Sequence, residues 1–105
     1  MGQREVSAGE IIRTVWEAED RLRAGAPCLA TRKLAPRGEL TLTRFKLGER
    51  FVWAMRVRRW KADGRGWMKA SEDVFDFLDG DAAWRAAIGW DGKGEPEGFA
   101  RRRRA

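Results

Sequence analysis

The chain has 105 residues, 43% hydrophobic and 36% charged, with a formal net charge of +6, a composition that fits one globular domain. It contains no histidine and a single cysteine, Cys28. That excludes His-dependent catalytic triads, imidazole metal ligands, an intramolecular disulfide and a cysteine-built zinc site.

The longest apolar run, Phe51-Val52-Trp53-Ala54-Met55, falls far short of the ~20 residues that span a bilayer. The opening Met1-Gly2-Gln3-Arg4-Glu5-Val6 lacks the apolar core of a signal peptide. A cytoplasmic protein with no membrane partner is expected.

In chain order, Ser7-Ala8-Gly9-Glu10 reads as a capping box. Ile11, Val15, Ala18 and Leu22 follow at helical spacing, and Gly25 and Pro27 stop the run. This predicts an amphipathic N-terminal helix of about 17 residues. Strands are predicted over Cys28–Lys33, with Cys28 as a small core residue, and over Glu39–Leu47, on either side of an Ala35-Pro36-Arg37-Gly38 turn.

Phe51–Lys61 is the clearest strand. Phe51, Trp53, Met55 and Val57 share one face and Arg56, Arg58 and Trp60 the other. Ala62-Asp63-Gly64-Arg65-Gly66 supplies a hairpin, and Trp67–Ala70 the returning strand. Ser71-Glu72-Asp73 reads as a helix start with Val74, Phe77 and Leu78 as its core face. Asp81 caps a further short helix carrying Ala83, Trp84, Ala87 and Ile88.

The expected fold is therefore an α+β domain over residues 1–88. It has an N-terminal helix, a three- or four-stranded antiparallel sheet and one or two short C-terminal helices. Residues 89–105 are expected to form a Gly-rich charged linker and a disordered basic tail.

Charge is unevenly distributed. Residues 27–70 hold 12 basic and 3 acidic side chains, residues 71–100 hold 2 and 8, and Arg101–Arg104 follow. The two blocks can neutralise each other within one fold or between subunits. The acidic set Glu72, Asp73, Asp76, Asp79 and Asp81 matches no metal-loop spacing, so no metal and no cofactor are expected.

An indole beside guanidinium groups on one strand face suits stacking on a base while the charges hold phosphate. The alternative is an arginine face that merely solvates an edge strand. Arg32, Lys33, Arg37, Arg44 and Lys46 extend the basic character over the earlier strands. The candidate ligand-binding set is Arg32, Lys33, Arg56, Arg58, Trp60, Arg65 and Trp67, with no catalytic residue among them.

Several segments are similar to one family: Glu17-Ala18-Glu19-Asp20-Arg21-Leu22-Arg23-Ala24-Gly25, Leu29-Ala30-Thr31-Arg32-Lys33, Trp67, Ser71-Glu72-Asp73-Val74-Phe75 and Trp84. In this order they resemble the small phage proteins that include the Thoeris anti-defense sponges. The resemblance implies a non-catalytic homo-oligomer that captures a small anionic cyclic nucleotide signal in pockets between subunits. The residues by themselves also admit two other readings. One is a nucleic-acid-binding or anti-defense protein using the Arg56/Arg58/Trp60 face and the arginine tail. The other is an interaction protein in which the acidic segment 71–81 and the basic sheet meet a protein partner.

Overall fold

A computed structural model describes residues 26–104; the predicted N-terminal helix lies outside the described residues. Five strands form one antiparallel meander in sequence order: β1 (Cys28–Leu34), β2 (Gly38–Leu47), β3 (Arg50–Ala62), β4 (Met68–Phe77) and β5 (Arg101–Arg104). Among the described residues there is one helix, α1 (Gly80–Gly89), which enters the chain between β4 and β5.

Period-2 alternation divides the sheet into two faces. On the inner face Leu34, Leu40, Leu42, Met55, Val57, Phe75 and Phe77 pack against Ala82, Ala83, Ala86 and Ala87 of α1. These alanines, rather than Trp84 and Ile88, form the buried stripe of the helix, and both larger side chains stay exposed. Their small size lets α1 lie close to the sheet. Gly80 completes the approach, since a Cβ there would stand 2.7 Å from Cζ2 of Trp53. On the outer face Phe45, Val52, Ala54 and Val74 form a second, smaller buried cluster.

The expected fold needs correction at several points. The segment from Ser71 is not a helix but the second half of β4, paired with β3 from Trp53↔Phe77 to Ala62↔Met68. The physical reason is its period. Asp73, Phe75 and Phe77 alternate with Glu72, Val74 and Asp76, so strand geometry delivers both phenylalanines to the inner core at 1% and 0% exposure. A helix would place them on different sides. The capping preference of Ser71 is worth less than burying two phenyl rings. The sheet consequently has five strands rather than three or four.

The C-terminal stretch also differs from the expected linker and tail. Trp90 and Phe99 meet the ring of Phe75 edge-on, with centroids 5.5 and 5.4 Å away, and Pro96 is buried. Ala100 N–H donates to the Asp76 carbonyl at 2.7 Å. Arg101–Arg104 then pair with Asp76–Asp73 of β4. Asp73 of β4 and Glu95 meet the charge of Arg102. Arg102 donates to both Asp73 oxygens, at 3.4 and 3.1 Å, and lies over the Phe75 ring at 5.3 Å. Cys28, expected in the core, is exposed at the start of β1, its Sγ 3.4 Å from Thr31 Oγ1.

Candidate nucleic-acid interface

The outer face carries rows of charge across the strands. The register aligns Lys33 with Glu39, Glu39 with Arg58, and Arg58 with Glu72. The next row runs Thr31, Thr41, Arg56, Val74 and Arg103. Arg101 shares this face, two residues along β5 from Arg103.

Glu72 is divided between two guanidinium groups, 2.9 Å from Arg56 Nη1 and 3.6 Å from Arg58 Nη2. The partners differ in access: the Arg56 side chain is 18% exposed and that of Arg58 is 56% exposed. Burial holds the Arg56 guanidinium below its ordinary pKa. Glu72 opposes that shift, while Arg103 and Arg58 add to it. Arg56 is therefore an anchor of the sheet, whereas Arg58 offers its charge to solvent.

A cleft of about 200 Å³ lies between Glu39, Thr41, Arg56, Arg58 and Glu72. At Glu39 it meets a shallow trough of about 550 Å³ whose walls include Lys33, Pro36, Arg37 and Trp60. Trp60 is held there by its backbone N–H, which donates to the Arg37 carbonyl at 3.0 Å. The structure thus brings together Lys33, Arg56, Arg58 and Trp60 of the predicted set.

It separates the others. Arg32 points to the inner face, where Nε donates to the Ala87 carbonyl at 2.8 Å and Nη2 to those of Trp90 at 2.5 Å and Ala86 at 3.4 Å. It closes the C-terminal end of α1. Arg65 and Trp67 sit at the far end of the β3–β4 hairpin. There the Asp63 carboxylate accepts from their backbone N–H groups at 2.8 and 3.3 Å.

The candidate ligand-binding set left out Glu39 and Glu72, and it left out Arg37 and Arg103 although the basic character of Arg37 and of the arginine run was noted. The signal for Glu72 was its position opposite Arg58, legible only once Ser71–Phe77 is read as a strand.

A larger concavity of about 790 Å³ lies between α1 and residues 90–98. Asp79, Asp91 and Glu97 face one arginine there, Arg85, a balance that repels an anionic ligand. Among the described residues no cluster of carboxylates and cysteine is placed to hold a metal ion. Nor is any helix among them long and apolar enough to cross a membrane.

The fold and face define a small antiparallel-sheet protein with an arginine- and tryptophan-bearing surface. No protein-family model, curated protein or solved structure matches the chain.

Proposed function

We propose that this chain is a non-catalytic nucleic-acid-binding protein. The observation that carries the reading is the open trough in which Lys33 and Arg37 line the walls beside the indole of Trp60, with Arg58 in the cleft that meets it at Glu39. Arginine and lysine there meet phosphates, and the indole supports a base.

A trapped cyclic nucleotide, the other reading of the same side chains, needs an enclosure of about 300–1,000 Å³. The narrower cleft of this face measures about 200 Å³, with Glu39 and Glu72 on its walls. A second copy of the chain would have to roof it, and the large apolar side chains exposed for such pairing among the described residues are Phe51, Trp67, Met68, Trp84 and Ile88. A polymer needs no roof, because it gathers weak contacts along an open surface.

The test is fluorescence anisotropy of a labelled oligonucleotide of about 12 nucleotides across a salt series. Log affinity is expected to fall linearly with log salt. Arg58→Gln should weaken every sequence alike and reduce the salt slope by about 1. An oligonucleotide that fails to bind at low salt overturns the proposal. So does a cyclic nucleotide bound by an oligomer with little salt dependence, which would establish the capture reading.

A further inference from the structure

The β3–β4 hairpin outruns its sheet. β2 pairs with β3 only as far as Gly38↔Arg59, and β5 reaches only Asp73 of β4. Beyond these points, past the bond from Trp60 N–H to the Arg37 carbonyl, the pairs Trp60↔Ala70, Lys61↔Lys69 and Ala62↔Met68 continue as a two-stranded ribbon. Every residue from Lys61 to Ser71 is exposed, and among the described residues the ribbon is met from outside by Arg37, whose Nη1 lies 3.7 Å from Met68 Sδ.

Its sequence works against its own stability. Lys61 and Lys69 are direct cross-strand partners, which sets their Cβ atoms roughly 5 Å apart, a spacing at which like charges destabilise a sheet. Neither lysine has a carboxylate partner among the described residues. The nearby Asp63 is turned back into the loop by the backbone N–H groups of Arg65 and Trp67. Trp67 directly precedes β4, and its carbonyl accepts from Asp63 N–H at 2.9 Å, a bond that carries the alternation one residue further and sets Trp67 on the side of Lys69; it is 74% exposed and contributes little to folding.

A short ribbon is marginal even with favourable pairs. One that spends its positions on a lysine pair and a bare indole shows the conflict between local stability and sequence that marks a functional surface. A phosphate between the two ammonium groups turns their repulsion into two charge-assisted hydrogen bonds. A base on the neighbouring nucleotide can then reach the indole, provided it is unstacked from a duplex.

We propose that this ribbon is a second contact for the nucleic acid. Lys61 and Lys69 grip one phosphate and Trp67 stacks on an adjacent base, so the partner is a single strand rather than a duplex. The proposal rests on the nucleic-acid reading of the Arg58–Trp60 trough. By strand alternation the lysine pair lies on the opposite face of β3 from Trp60. The bound strand therefore passes around the free edge of the ribbon.

The experiment compares a single-stranded oligonucleotide with a hairpin duplex of matching sequence, using the full chain, Lys61→Glu, Trp67→Ala and Arg58→Gln. The parent is expected to prefer the single strand by about tenfold or more. Lys61→Glu replaces repulsion with an ion pair. It should raise the melting temperature by about 1–4 °C while weakening single-strand binding by about tenfold. Trp67→Ala should lose single-strand affinity with little change in melting temperature.

If Arg58→Gln weakens binding while Lys61→Glu and Trp67→Ala bind like the parent, the ribbon proposal fails and the trough reading stands. Preference for the duplex also overturns the ribbon proposal alone. Absence of binding by the parent overturns both.

Discussion

Arg32→Ala is expected to lower the unfolding free energy by about 2–4 kcal/mol and to leave oligonucleotide affinity, measured on folded protein, within about twofold. The last turn of α1 carries no basic residue of its own, so its negative end is met from β1. The Arg32 guanidinium reaches three carbonyls, those of Ala86, Ala87 and Trp90. A cation placed there also complements the helix dipole.

Truncation strands partly buried acceptors without a donor, and the loss of a charged donor costs more than the loss of a neutral one. Arg32→Lys should recover only part of the stability, because one ammonium cannot reproduce a planar fork aimed at several oxygens. Urea unfolding monitored by tryptophan fluorescence measures this as a lower midpoint at unchanged slope. A variant that keeps its midpoint but loses oligonucleotide binding would return Arg32 to the ligand site.

The misplacement of Arg32 shows how far local pattern carries. Neighbouring residues of a strand face opposite ways, so Arg32 and Lys33 could not both belong to one sheet surface, and the sequence already contained that conflict. Which of the two reaches the trough depends on long-range register. The turn that sets Leu34 opposite Gly38 also places Lys33 beside Glu39, which pairs in turn with Arg58.

The Arg56, Arg58 and Trp60 face was legible because Met55, Arg56, Val57 and Arg58 alternate apolar and basic within one uninterrupted strand, β3. The Asp63-Gly64 connection was legible from its turn chemistry. Ser71–Phe77 and Arg101–Arg104 were not, for a shared reason. Each segment alone favours another state, a capped helix for one and a solvated basic tail for the other. Their strand conformation comes from partners far away in sequence, β3 for the first and β4 for the second. Reading the acidic run as helix-start charge therefore concealed the docking place of the arginine run.

Gly98→Ala is expected to cost about 2–4 kcal/mol, the sum of a backbone and a packing penalty. Gly98 has φ +85°, where a side chain is strained, and a Cβ there would lie 2.8 Å from the Cβ of Ala82. Ala82 cannot retreat, since it is 5% exposed and belongs to the face of α1 packed on the inner core. Gly94→Ala provides the control. Its φ is +66° but its surroundings are open, so it should cost only about 1 kcal/mol of backbone strain. The difference between the two variants isolates the contact with α1.

The consequence extends to the candidate interface. Gly98 precedes Phe99, which packs on Phe75, and Ala100, which bonds to Asp76. These contacts set the register of β5 and carry Arg101 and Arg103 to the outer face. Gly98→Ala should therefore also weaken oligonucleotide binding in proportion to the loss of β5 protection in amide hydrogen exchange. If Gly98→Ala and Gly94→Ala unfold at the same urea concentration, the close approach of residues 90–98 to α1 is wrong, and with it the path that delivers the C-terminal arginines to the sheet.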